Sequence, residues 1–139
     1  MNVSPGETLT RFIRYNSHFS VVTNRVKPDA FLPHRKRIDV SVFRISELND
    51  SEKLSENEIW QIGREYVQTE ERLIKARADL LAAVVYQNNL EVVPDEPPQR
   101  HANITPFPIE KSPTDRKARR SIATKLANAS KLAVQPEKI

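Results

Sequence analysis

The chain has 139 residues, ten prolines, no cysteine and a formal net charge of +4, and its length fits one domain. Without cysteine it cannot form disulfides, bind zinc through thiolates or use a cysteine nucleophile. No apolar run reaches the roughly 18 residues that a membrane-spanning helix needs, and the first six residues lack the features of a secretory signal. We therefore predict a cytoplasmic protein without a membrane partner.

The charge is divided unevenly along the chain. Residues 1–45 carry eight basic and three acidic side chains, residues 46–99 carry five and twelve, and residues 100–139 carry nine and three. Two basic ends therefore flank an acidic centre. Either the fold brings the ends against the centre and compensates the charges, or a basic end faces a polyanion such as nucleic acid.

The first part of the chain predicts two strands and a basic turn. Residues 9–15 have the β-branched and aromatic content of a strand. Residues 16–33 are predicted to be irregular because they contain two prolines. Residues 38–45 alternate apolar and polar side chains, as a half-buried strand does. Just before them, the basic tripeptide 35–37 should lie in an exposed turn.

A helix is predicted to begin after Ser55, because Ser55 and Glu58 have the spacing of a capping box. Apolar residues then recur at helical spacing, and we expect Trp60, the only tryptophan, to lie in the core. Gly63 costs about 1 kcal/mol inside a helix. Its presence there suggests close packing at that position.

The middle of the chain predicts a strand, a buried helix and a second strand. Residues 72–78 have the apolar content of a strand, and Asp79 fits the N-cap of a helix over residues 80–86. That helix is apolar on nearly every side, so we expect it at the buried centre of the fold. A short strand over residues 90–93 should follow.

Proline dominates the next segment, with six prolines between residues 94 and 113. This content predicts an extended, stiff connector instead of a packed element. Ser112 and Pro113 then mark the start of a last, amphipathic and basic helix. We predict an α+β fold in which a small mixed sheet is packed by two or three helices. Residues 1–111 form the core, with the Pro-rich connector at 94–111, and residues 112–139 form the basic C-terminal helix and tail.

The inventory of catalytic residues is thin. The chain has two glycines and no Gly-rich phosphate loop, and its three histidines, His18, His34 and His101, lie far apart in the sequence. Their spacing does not support a metal site. We therefore predict neither a metal nor another cofactor.

Two polar clusters, one at Arg77 and Asp79 and the other at residues 100–104, would line one edge together with His18 if their strands were neighbours. Arg77 and Arg100 would then hold a phosphate, and His18 and His101 would act as acid and base. The alternative is a buried salt-bridge network that fixes the connector onto the core.

Eight short segments make up a distinctive pattern that spans most of the chain. They are Arg11-Phe12-Ile13, Ser17-His18-Phe19-Ser20, Arg25-Val26-Lys27-Pro28, Ala30-Phe31-Leu32-Pro33, Ser41-Val42-Phe43-Arg44, Glu58-Ile59-Trp60, Arg77-Ala78-Asp79 and Arg100-His101-Ala102-Asn103-Ile104. In this pattern the chain resembles an uncharacterised family of small bacterial proteins. The resemblance implies a bacterial, cytoplasmic protein with a role in antiviral defence or in a nucleoprotein assembly, and it brings no established activity.

Three functions remain open at this point. The first is a non-enzymatic subunit that docks into a larger protein assembly and contacts nucleic-acid backbone, with RNA favoured over DNA. The second is a small enzyme acting on a nucleotide or phosphodiester through the His and Arg residues named above. The third is a pure protein–protein adaptor. In the first, the residues expected to neutralise phosphates are Arg35, Lys36, Arg37, Arg116, Lys117, Arg119 and Arg120.

Overall fold

A computed structural model describes residues 3–46 and 54–136 of the chain. The strands are β1 (Thr8–Ile13), β2 (Phe19–Ser20), β3 (Arg25–Val26), β4 (Val40–Arg44), β5 (Ala76–Leu81), β6 (Glu91–Pro94), β7 (His101–Thr105) and β8 (Lys131–Val134). The α-helices are α1 (Glu56–Tyr66), α2 (Ala82–Gln87) and α3 (Pro113–Asn128), and short 3₁₀ turns lie at Asn16–His18 and Pro28–Phe31.

Six strands form one sheet in the order β6-β7-β4-β1-β5-β8, and β2 and β3 pair separately. Every pairing is antiparallel. The predicted α+β class, with a sheet, three helices and a C-terminal helix, is confirmed. The basic tripeptide 35–37 lies in an exposed turn before β4, as its sequence indicates.

The two faces of the sheet carry two separate apolar clusters. The larger cluster includes Leu9 and Ile104 from the sheet, Phe31 from a 3₁₀ turn and Leu126 from α3. The smaller one packs α1 against the opposite face and contains Phe12, Phe43, Ile45, Ile59, Trp60 and Ile74. Because side chains alternate between the faces of a strand, odd-numbered residues of β4 and β7 point to the α1 side.

Helix α1 begins and packs as its sequence predicts. The Ser55 side chain accepts from the Glu58 backbone N–H, and the Glu58 carboxylate accepts from the Ser55 N–H, so the capping box is formed. Trp60 is only 3% exposed. A Cβ atom on Gly63 would lie 2.7 Å from the Phe12 ring, which confirms the close packing expected there.

The predicted N-cap at Asp79 is wrong. Asp79 lies inside β5, and α2 begins at Ala82, preceded by Leu81 as its N-cap residue. The reason is that β5 pairs with β1 without interruption over six residues, and this long-range pairing overrides the local helical pattern. Helix α2 is only six residues long, with Ala82 and Val85 as its buried members, so it does not form the centre of the fold.

The prediction that residues 94–111 form an unpacked connector is wrong for residues 101–105. These residues form β7, which lies between β6 and β4 and buries Ala102 and Ile104 completely. No proline occurs between residues 99 and 105, so every backbone N–H that the sheet requires is present. The prolines flank this strand instead of interrupting it.

Helix α3 begins at its predicted cap, where the Ser112 side chain accepts from the Asp115 N–H. It buries Ala123, Leu126 and Ala127 in the larger cluster. The chain then returns to the sheet, where residues 131–134 form β8 against β5. Part of the predicted tail is therefore a strand at the edge of the sheet.

Candidate functional site

The two basic segments, separated by almost 80 residues in the sequence, lie close together in the structure. Arg119 of α3 joins them. Its side chain is buried, and its guanidinium donates to the carbonyl oxygens of Pro108 (2.8 Å), Pro33 (3.1 Å) and His34 (3.0 Å). Arg119 therefore fastens α3 to the segment before the basic turn, and its side chain does not face outward.

The other six predicted cations are all exposed, and they are Arg35, Lys36, Arg37, Arg116, Lys117 and Arg120. Four of them contact carboxylates. Arg116 lies 2.8 Å and Arg35 3.9 Å from Glu110, Arg37 lies 3.0 Å from Asp39, and Arg120 lies 3.0 Å from Asp29. Neither lysine has an ion-pair partner within residues 3–46 and 54–136.

An open groove of about 820 Å³ lies between the basic turn and the segment at Ile109 and Glu110. A neighbouring depression of about 360 Å³ is lined by Arg35 together with Arg116 and Arg120 of α3. The hydrogen bond from Arg116 holds the pKa of Glu110 below its usual range. We call the six exposed cations and these two depressions the basic groove.

The predicted edge that would combine Arg77, Arg100, His101 and His18 does not form. Strands β5 and β7 are not neighbours, because β4 and β1 lie between them. The Arg77 guanidinium lies 4.8 Å above the Trp60 ring and pairs with Asp79 and Glu56.

Arg100 and His18 have separate surroundings. Arg100 is buried and donates to the carbonyl oxygens of Arg44 (3.1 Å) and Ser46 (2.9 Å). His18 packs on the ring of Tyr15, and its pKa is lowered chiefly by burial. The ion pairs of Arg77 join β5 to α1 and do not fix the connector, whereas Arg100 holds the connector to the core through carbonyl oxygens. The two histidines do not share a site.

A different polar cluster surrounds His101. Its Nε2 atom lies 2.6 Å from the Ser41 Oγ, and its Nδ1 atom lies 2.8 Å from the backbone carbonyl oxygen and 3.5 Å from the carboxylate of Asp95. Asn103 donates to the same carboxylate at 3.1 Å. The pairing of β4 with β7 sets this cluster, since it places Ser41 opposite Asn103 and Phe43 opposite His101.

The hydrogen bonds assign the tautomer of His101. A carbonyl oxygen can only accept, so Nδ1 carries a proton, and in the neutral ring Nε2 is left to accept from the Ser41 hydroxyl. Here a serine hydroxyl donates to the unprotonated nitrogen of a histidine, and a hydrogen bond fixes the other ring nitrogen. This is the arrangement of an activated nucleophile and its base. Sequence reasoning included Asn103 in the predicted polar cluster at residues 100–104 but missed Ser41 and Asp95, because β7 was not predicted.

A small cavity of about 250 Å³ opens beside Ser41. It lies where β1 and β4 separate, since their ladder pairs only Leu9 with Arg44 and Thr10 with Phe43. The Arg11 side chain enters this gap and donates to the carbonyl oxygens of Ala30 (3.0 Å) and Ser41 (2.9 Å). The residues that line the cavity are Arg11, Phe12, Arg14, Ser41, Phe43, Tyr66 and Val67.

Comparison with known proteins gives no relative: no family model, curated protein or solved structure matches this chain. The family resemblance inferred from the sequence therefore stays a prediction. Among the helices in the described parts of the chain, none combines the length and the apolar content needed to cross a bilayer. Within the same residues, no three His, Asp or Glu side chains are grouped so that they could hold a metal ion.

Proposed function

We propose that this protein is a cytoplasmic binding subunit whose basic groove holds nucleic-acid backbone. The observation that carries the proposal is the convergence of the turn at residues 35–37 with α3 around open depressions. The two segments are far apart in sequence, yet five of their six exposed cations line the two adjoining depressions, and the sixth, Lys117, follows Arg116 on α3. Clustered cations of this kind bind phosphates by releasing counterions.

The charge balance of the basic groove favours a polyanion. Six exposed cations meet the three carboxylates of Asp29, Asp39 and Glu110, so positive charge remains in excess. The guanidinium of each of these pairs is exposed, and ion pairs in contact with solvent contribute only about 0–1 kcal/mol each. Exchanging such a carboxylate for a phosphate therefore costs little, and the unpaired Lys36 and Lys117 lose no partner at all.

The geometry also supports backbone contact instead of base reading. No aromatic side chain lines the two depressions, whereas readers of single-stranded bases use aromatic rings as stacking platforms. We therefore expect weak dependence on base sequence and strong dependence on salt. Affinity for a single strand should fall with a log–log slope of about 0.7 per phosphate neutralised.

The test is fluorescence anisotropy with labelled single-stranded RNA and DNA oligonucleotides of equal length at two salt concentrations. The test variant is the double substitution Lys36→Glu and Lys117→Glu. Its matched control is Arg25→Glu with Lys131→Glu, which makes the same charge change at exposed residues of β3 and β8. We expect the test variant to weaken binding by about tenfold or more and to flatten the salt dependence, while the control stays near the unmodified protein.

Two outcomes contradict the proposal. One is an equal loss of affinity in both double variants, which would mean that net charge and not the groove controls binding. The other is the absence of RNA and DNA binding at low salt. In that case a pulldown that captures an acidic protein, and loses it in the Lys36 and Lys117 variant, would favour the adaptor alternative.

A further inference from the structure

We propose that Ser41 is a nucleophile activated by His101, in a site that hydrolyses small esters whose acyl chain carries a carboxylate. This site is separate from the basic groove and does not depend on the function proposed above. Ser41 would attack, His101 would move the proton, and Asp95 and Asn103 would hold the histidine ring. Arg11 would bind the carboxylate of the substrate.

The nucleophile and its base are in direct contact. The 2.6 Å separation of the Ser41 Oγ and the His101 Nε2 lies in the range required for direct proton transfer. The His101 ring is fixed by its bond to the Asp95 carbonyl and by edge-on packing against Phe43, with ring centroids 5.3 Å apart. The side chain remains 15% exposed, so a substrate can reach it.

Negative charge on the substrate's carbonyl oxygen needs a hydrogen-bond donor. Arg44 donates its N–H to Arg100 on the β7 side, and Ile45 donates its N–H to Thr8 on the β1 side. Backbone groups alternate in this way along a strand, so the Ser41 N–H points toward β1. The β1–β4 ladder has ended there. The N–H of the nucleophile therefore faces the cavity, where it can stabilise negative charge on a carbonyl oxygen.

The cavity beside Ser41 carries positive charge from Arg11 and Arg14. Arg11 contacts two backbone carbonyls and has no carboxylate within ion-pair distance among the described residues. Burial, assisted by the nearby charge of Arg14, lowers the pKa of Arg11 to about 10, so the side chain stays cationic at neutral pH. Arg11 is half-buried. Partial loss of water makes a cation without a counter-charge unfavourable, and a ligand carboxylate would supply the missing anion.

The size and charge of the cavity select the substrate class. A volume of about 250 Å³ is below the usual range for drug-sized ligands and suits an acyl chain of a few carbons. The Phe12 and Phe43 rings line the cavity and can pack against its methylene groups. The Arg11 guanidinium, which donates to the Ser41 carbonyl oxygen, offers a position for one carboxylate beside the nucleophile. Arg14 also lines the cavity and adds to its positive charge.

The reaction balances with water as the only co-reactant. The Ser41 oxygen bonds to the ester carbonyl carbon while its proton passes to the His101 Nε2. The bond to the alcohol oxygen then breaks, and that oxygen takes the proton from His101. Water next attacks the acyl-serine and gives a proton to His101, which returns it to the Ser41 oxygen as the free acid leaves.

The first test uses a fluorophosphonate probe, which reacts with activated serines, and locates the label by peptide mass spectrometry. We expect one label, on Ser41. Ser41→Ala should abolish it, and His101→Gln should slow it by about 10²-fold or more, as loss of a general base does. Ser17→Ala, which changes a serine next to the other histidine in the sequence, is the matched control and should label normally.

The second test compares p-nitrophenyl hemisuccinate with p-nitrophenyl acetate. We expect hydrolysis of the anionic ester to be faster by about tenfold, a usual effect of one charge-assisted contact. Arg11→Gln should remove this preference. Because loss of Arg11 also leaves two backbone carbonyls without their donor, the second variant is Arg14→Gln, at the other arginine of the cavity. It should reduce the preference in a protein whose circular dichroism is unchanged.

The positioning role of Asp95 has its own readout. Asp95→Asn keeps the backbone acceptor of His101 but removes the carboxylate that faces its Nδ1, so labelling of Ser41 should slow. Asp95→Glu, which restores a carboxylate, should recover part of the rate, whereas a merely structural role of Asp95 predicts no such rescue.

Three results would overturn the proposal. They are absence of a label on Ser41, an equal labelling rate in His101→Gln, and turnover of p-nitrophenyl phosphates but not of the carboxylic esters. The double variant Lys36→Glu and Lys117→Glu, which tests the basic groove, should label at the unmodified rate. Failure of one proposal is therefore distinguishable from failure of the other.

Discussion

The α1-facing side of the sheet has a covered part and an open part, and the two treat polar side chains differently. Under α1, the Phe12 ring packs against Trp60, and the guanidinium of Arg77 lies over the indole and pairs with two carboxylates. Near the C-terminal end of α1, Ser41 and His101 bond to each other as half-buried residues.

Whether a polar side chain is paired or available for a ligand depends on whether α1 covers it, and not on the residue type. A charge beneath a helix loses its water and must be paired to be tolerated, so Arg77 is locked between partners. A polar side chain in the open part keeps access to solvent and can exchange its partner for a ligand. The covered part therefore supports stability, and the open part is where chemistry is expected.

The largest effect should come from the covered part. Trp60→Ala removes the central side chain between α1 and the sheet, and large-to-small changes of this kind cost about 3–5 kcal/mol. Urea unfolding followed by circular dichroism measures the loss. The control is Gln61→Ala, which changes an exposed residue of the same helix and should stay within about 0.5 kcal/mol. Equal costs for the two variants would mean that α1 does not cover the sheet as described.

A smaller loss is expected at Gly63. An added Cβ would meet the Phe12 ring at 2.7 Å and the Ile74 side chain at 2.8 Å. Overpacking costs about 1–3 kcal/mol and exceeds the gain of about 1 kcal/mol in helix propensity, so we expect Gly63→Ala to destabilise by about 1 kcal/mol.

The other glycine provides the contrast. Gly6 has no atom within 4 Å of an added Cβ and has no positive φ. Gly6→Ala should therefore stabilise the protein by about 0.4–1 kcal/mol by restricting the unfolded chain. If both alanine variants change the free energy of unfolding in the same direction, the close approach at Gly63 is not the cause.

The pairing of Arg77 should appear as a pH dependence of stability. The hydrogen bond from Arg77 lowers the pKa of Glu56 below its value in the unfolded chain. The stabilisation is therefore present at neutral pH and is lost as the pH falls through that lowered pKa. Because Glu56 is largely exposed, Glu56→Gln should cost under about 1 kcal/mol at pH 7. The two proteins should differ less at acid pH, and a constant difference across pH would contradict this.

The smallest effect on stability is expected in the open part. Asn103→Ala removes one donor to Asp95 at the surface and should change the free energy of unfolding by no more than about 0.5 kcal/mol. The same substitution should slow fluorophosphonate labelling of Ser41, since the carboxylate behind His101 is then less firmly held. A large loss of stability with unchanged labelling would mean that Asn103 supports the fold and not the chemistry, which contradicts the role given to the open part.

Local signals allowed much of the fold to be predicted. The capping box at Ser55 and the cap at Ser112 involve residues three apart, so the sequence contains the whole interaction. The position of Asp79 within a strand was not predictable in this way, because pairing with β1, which is distant in sequence, fixes β5. The six prolines between residues 94 and 113 likewise predicted an unpacked connector, although none of them lies within β7.

The sites depend on contacts that are distant in sequence. Arg119 looks like one of several basic residues on an exposed helix face, but its carbonyl partners include two that lie 85 and 86 residues away. Ser41 and His101 are 60 residues apart, and only the register of β4 with β7 places them together. Residue types suggested an acid–base histidine, and the fold was needed to identify its serine.

The short β1–β4 ladder determines where the sheet should open most easily. Six residue pairs join β1 to β5 and four join β4 to β7, but only two join β1 to β4. The sheet thus consists of two three-stranded panels that meet at a narrow seam, and amides at that seam should exchange with deuterium before those within either panel. Ser41 lies on the seam, so each transient parting of the panels widens the entrance to its cavity.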